Sequence, residues 1–230
     1  MKRTPGYMLT TSFVLITVGA ALAAPADTKQ MIGVTIRIWD RAQIGSNVWD
    51  HTKTAVERVF MPAGIQLIWT YCTIDDTPQS LACSAPTGPN DISLRVYERS
   101  RTDVETKGHA RGGTSMLLSP VGGKGIVHVF FDRVTEVSAT CKVPVELVLG
   151  ITVAHEIGHL LLPGQAHVLA GIMRAKLDTR DWRLAAQGSL GFTQRQRQSI
   201  AAGVQARSLK ITAEDRDLTI RPRGIGTVRS

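Results

Sequence analysis

The stretch from Val143 to Leu162, VPVELVLGITVAHEIGHLLL, constrains this chain more than any other part of it. Apolar residues such as Val148, Leu149, Val153, Ile157, Leu160 and Leu161 would surround a helix of this length on nearly every face. A helix that is apolar all round is a buried helix. Pro144 suits its first turn, Glu146 favours its N-terminus, and Pro163-Gly164 must break it. The run does not read as a membrane span, because Glu146, His155, Glu156 and His159 interrupt it. The fold must therefore bury two imidazoles and a carboxyl group. That is costly unless something pairs with them.

The spacing of those residues suggests what does. On a helix, residues four apart lie on one face, so His155 and His159 direct their rings at one point. Glu156 lies around the corner. It is close enough to reach a water at that point and poorly placed to be a ligand, which is the physical content of H-E-x-x-H as a zinc pattern. A catalytic zinc site takes three protein ligands. The acids after His159 are Asp178, Asp181, Glu214, Asp215 and Asp217, and none sits in an apolar helical pattern. His167 follows Gly164 at G-x-x-H spacing and is the expected third ligand. His128, in a predicted strand, is the competing imidazole. His109 reads as a solvated loop residue.

His155, Glu156, His159, Gly164 and His167 resemble the H-E-x-x-H-x-x-G-x-x-H motif of the metzincins, a group of zinc peptidases. Gly171-Ile172-Met173 resembles their methionine turn, with Met173 under the metal. The chain particularly resembles exported bacterial proteins that read HEIGHLLLG, then a histidine, then GIMR. The resemblance spans Met31 to about Arg207. It implies a Zn2+ cofactor, Glu156 as general base and a peptide or protein substrate. It also implies an α+β fold: a twisted five-stranded mixed sheet with an antiparallel edge strand, a backing helix, an active-site helix and a C-terminal helix. On that resemblance Thr114, Ser115, Met116, Leu117 and Leu118 form the edge strand that binds substrate. Two features depart from the pattern. Leu160 to Pro163 make the gap before Gly164 longer than the two residues of the standard motif, and no tyrosine follows Met173.

The rest of the chain fits an exported catalytic domain. Lys2, Arg3, an apolar run and Ala21-Leu22-Ala23 read as a signal peptide over residues 1–23. The catalytic domain is expected over 24–209 and a polar tail over 210–230. Strands are predicted at Met31–Trp39, Ile65–Cys72, Ile92–Tyr97, Thr114–Ser119 and Ile126–Phe131, from alternation and β-branched content. A helix is predicted from Ser46 or Asn47 to about Met61, and a last helix over Phe192–Ala206 with Thr193 as N-cap. Asp132 reads as a turn residue.

Of the three cysteines, Cys72 and Cys83 are close enough to bridge in an oxidising compartment, which leaves Cys141 free. The formal net charge of +8 has no nucleic-acid motif beside it, so no nucleic-acid partner is expected. A secreted or periplasmic monomer is expected, without stable membrane insertion after signal cleavage. The alternative is an exported zinc-binding protein without catalysis. Glu156 separates the two, because a purely structural zinc site has no use for it and more often closes with a fourth ligand.

Overall fold

The computed structural model describes residues 31–73, 81, 83–99, 125–162 and 167–220. The chain begins with β1 (Ile32–Asp40), α1 (Ser46–Phe60), a 3-10 turn (Met61–Ala63), β2 (Ile65–Tyr71), β3 (Asp91–Tyr97) and β4 (Gly125–Phe130). Four helices follow: α2 (Phe131–Cys141), α3 (Val145–Leu161), α4 (Thr179–Ala186) and α5 (Gln194–Ile220).

The sheet has the order β2-β1-β3-β4, and every pairing in it is parallel. This corrects the expected fold. The described residues form a four-stranded all-parallel α/β sheet, not a five-stranded mixed sheet with an antiparallel edge. Alternation of apolar residues marks a strand and its inward face, but carries no information about direction. The antiparallel edge came from the resemblance alone, and Thr114–Leu118 lie outside the described residues.

Alternation does set which face is buried. Val34, Ile36 and Ile38 of β1 stand in register with Leu67, Trp69 and Tyr71 of β2, and Ile36 and Ile38 with Ile92 and Leu94 of β3. Leu94 and Val96 continue the row to Val127 and Val129 of β4. Helices α1 and α3 cover this face and pack on each other. They approach closely at Gly150, where a Cβ would come within 2.6 Å of Ala55 Cβ. The core of the molecule lies between these two helices and the sheet, and α3 is its central element.

The opposite face of the sheet carries one buried charge. Arg37 on β1 donates to the carbonyls of Cys83 (3.3 Å) and Ala85 (2.7 Å) and pairs with Asp91 at 2.7 Å. Cys72 and Cys83 are joined by a disulfide, as their spacing suggested, and Cys141 is free. Arg37 therefore ties the disulfide-bearing segment to the sheet.

Three helical features depart from expectation. Asp132 does not make a turn; it sits in the first turn of α2, where a carboxylate suits the helix dipole. A capping box at Asp178 and Asp181 starts α4. The last helix continues to Ile220, past the expected end at Ala206, and no proline or further glycine stands between Val204 and Ile220 to stop it. Its start is as expected: Thr193 Oγ1 accepts from Gln196 N, and Gln196 Oε1 accepts from Thr193 N. No helix among the described residues is long and apolar enough to cross a membrane.

Candidate metal centre

Helix α3 delivers His155, Glu156 and His159 from its C-terminal half, and the chain returns with His167 after the helix ends. One ligand nitrogen from each of His155, His159 and His167 lies within 4.8 Å of the other two. His155 Nε2 and His159 Nε2 are 3.0 Å apart, and the His167 ring centroid is 5.4 Å and 4.9 Å from those of His155 and His159. Burial is graded: His159 is buried, His155 half-buried and His167 exposed. The cluster thus opens to solvent on the His167 side. Gly164, the expected turn residue before His167, lies outside the described residues. His128 is not in the cluster. It stands on β4 beside Tyr97, with ring centroids 5.6 Å apart.

The turn Gly171–Arg174 orients the first imidazole. Ile172 O lies 2.7 Å from His155 Nδ1. Nδ1–H donates to that carbonyl, which fixes the tautomer and leaves Nε2 unprotonated. The turn is held in several ways. Gly171 has φ +74°, and a Cβ there would stand 2.6 Å from Gly191 O. Ile172 N donates to that same carbonyl at 3.0 Å, and Arg174 N closes the turn onto Gly171 O at 3.3 Å. The Arg174 guanidinium binds Asp178 at 3.0 Å and also binds Asp181, the two residues of the α4 capping box. Met173 is fully buried and packs against α3 at Gly158.

Glu156, the next residue along the helix, lines the same cleft as His155. It is 3% exposed, and its Oε2 has no hydrogen-bond partner among the described residues. Burial raises its pKa well above the ordinary carboxyl value. Burial also lowers the pKa of His155, against the Ile172 carbonyl, which raises it, while the His167 ring adds to the lowering.

His155 and Glu156 line a cleft of about 420 Å3 with three walls. Ile151, Thr152, His155 and Glu156 of α3 form one wall. Arg133, Val137, Thr140 and Cys141 of α2 form the second, and Arg174 to Leu177 with Trp182 form the third. Sequence reasoning brought the three imidazoles together, as the structure does, but missed the second and third walls; the reading of Gly171–Met173 as a methionine turn rests on the resemblance alone. The signal for α2 was present as apolar residues at helical spacing, Phe131, Val134 and Val137.

Three converging imidazoles, one with its tautomer fixed by a carbonyl, form a site able to hold a metal ion. The donor set fits a transition metal that accepts nitrogen ligands. No protein-family model matches the chain, and no curated protein matches it.

Proposed function

We propose that this chain is an exported zinc-dependent peptidase whose metal centre is of the kind found in metzincins. The observation that carries the reading is the pairing of two features. Three imidazole nitrogens gather within 4.8 Å, and the adjacent Glu156 carboxyl is buried with Oε2 unpartnered among the described residues. His155, His159 and His167 are the proposed ligands of Zn2+. When bound, zinc acidifies a water and polarises a carbonyl.

The chain's own residues supply the rest of the chemistry. Glu156 lines the cleft beside His155 and accepts a proton from water there. Its raised pKa suits the second half of the task, in which it returns that proton to the leaving nitrogen of the cleaved peptide bond. Its burial excludes bulk water, so the proton stays where the reaction needs it. The Ile172 carbonyl holds the His155 ring in its ligating orientation throughout. The substrate is a peptide or protein that enters the cleft lined by His155 and Glu156. Export is supported by the N-terminal signal-like segment, and the Cys72–Cys83 disulfide is compatible with it.

Digestion of a peptide library by the zinc-loaded protein tests the reading. Cleavage is expected, abolished by a chelator and restored by added zinc. A metal-loaded protein that cleaves nothing in the library overturns it in favour of a binding role.

A further inference from the structure

Cys141 stands apart from the chemistry assigned so far. It is the free cysteine of the described residues, it is exposed, and it ends α2. Residues 133, 137, 140 and 141 recur at spacings of three and four, so they share one face of that helix. Those residues line the cleft together with His155 and Glu156. Cys141 therefore shares a cleft with one of the clustered histidines, although it lies far from the HEIGH segment in sequence.

A second observation marks that space as one built to receive a ligand. Glu156, 3% exposed, borders it with an oxygen that has no hydrogen-bond partner among the described residues. The volume, about 420 Å3, lies in the range of small-molecule pockets. The lining carries Arg133, Arg174 and Lys176 beside Glu136, and Arg174 is held by Asp178 and Asp181. Arg133 is engaged by Glu136 at 3.0 Å, whereas Lys176 makes no ion pair among the described residues.

We propose that Cys141 is a thiol modification site, and that a mixed disulfide formed there with an anionic low-molecular-weight thiol closes the cleft to ligands of the metal centre. The proposal rests on the reading of that centre as the seat of the reaction. In the step itself, the Cys141 thiolate attacks one sulfur of a small disulfide such as oxidised glutathione. The small S–S bond breaks as the Cys141 S–S bond forms. The departing thiolate takes up the proton that Cys141 released. Cys141 is oxidised, one half of the small disulfide is reduced, and no further oxidant is required. Lys176 offers charge to the carboxylates of the attached group.

The test uses zinc-loaded full chain treated with oxidised glutathione. The adduct is verified by intact mass, zinc by elemental analysis, and binding of a peptidyl hydroxamate by calorimetry. Hydroxamates chelate zinc, so binding reports access to the metal without relying on catalysis. Each protein is compared with itself before and after treatment. The expected result is one glutathionyl group, unchanged zinc and hydroxamate affinity reduced at least ~10-fold, with no change on treating Cys141→Ser. The proposal is overturned if the thiol does not react, if the adduct forms and affinity is unchanged, or if Cys141→Ser loses affinity equally. If the untreated zinc-loaded protein does not bind the hydroxamate at all, the functional reading fails first, and the two failures are told apart.

Discussion

The sulfur of Met173 rests on the bare backbone of Gly158. A Cβ at Gly158 would stand 2.7 Å from Met173 Sδ and 2.8 Å from Phe192 Cε1, so no side chain fits there without displacing one of them. The glycine inside HEIGH is thus explained by what packs on it, and the Gly171–Arg174 turn is seated directly on the histidine-bearing helix.

Gly158→Ala follows from that contact. Alanine gains about 1 kcal/mol in helix propensity, whereas overpacking a filled core costs about 1–3 kcal/mol. A net loss of stability is expected, together with weaker metal binding, because a shifted Met173 moves Ile172 and with it the carbonyl that orients His155. Urea unfolding and metal titration read the two effects. A stabilised variant with normal metal affinity would contradict the coupling.

His167→Ala should weaken zinc binding severely, whereas His128→Ala should leave it near normal. His167 contributes to the cluster and His128 does not. Competition titration against a chromogenic chelator separates them, and equal losses in both variants would count against the ligand assignment.

Glu156→Gln should keep its zinc while peptide hydrolysis falls at least ~100-fold, the scale associated with a general base. Full activity in the variant removes Glu156 from the mechanism. Joint loss of zinc and activity makes it a ligand instead.

The same substitution carries a pH signature in the metal-free protein. Burial raises the Glu156 pKa, so the unfolded carboxyl ionises first, near 4.5, while the folded one keeps its proton. The stability contributed by Glu156 is therefore fully present below about 4.5 and is lost as pH rises through the raised value. Each pH unit over which the folded state alone keeps the proton costs about 1.4 kcal/mol. Glu156→Gln should accordingly match the parent near pH 4 and exceed it in stability at neutral pH. His155 acts in the opposite sense, its contribution present above about 6.5 and lost as pH falls, but both proteins carry it. Denaturation midpoints across pH test the difference, and a gap independent of pH would refute it.

Arg37→Leu should destabilise the fold by about 2–3 kcal/mol, because it breaks a largely buried ion pair and leaves the half-buried Asp91 without its cation. It also frees the carbonyls of Cys83 and Ala85. Chemical denaturation measures the loss, and a non-reduced peptide map should still show Cys72 linked to Cys83.

The histidine cluster was more legible in the sequence than the sheet, for a physical reason. His155 and His159 sit on one helix, where the 3.6-residue period fixes which side chains meet. Strand positions were also legible, because Val34, Ile36 and Ile38 alternate with smaller or polar residues. Strand direction depends on how distant segments pair, and nothing in a period of two encodes it. Helix α2 was missed because Asp132 after Phe131 suits a turn as well as a helix start. Arg174, which anchors the Gly171–Arg174 turn to α4, has no local signature, since its partners Asp178 and Asp181 matter only once α4 has formed.

The bond from Ile172 N to Gly191 O has a consequence for the order in which the molecule is made. His155, His159 and His167 are all synthesised before the carbonyl that steadies the turn behind them exists. At ~5–20 residues per second, the segment from His167 to Gly191 takes a second or more to add. Metal capture in the proposed geometry would therefore be one of the last events of biogenesis. A chain arrested short of Gly191 should hold the ion loosely, and one extended through α5 should hold it tightly.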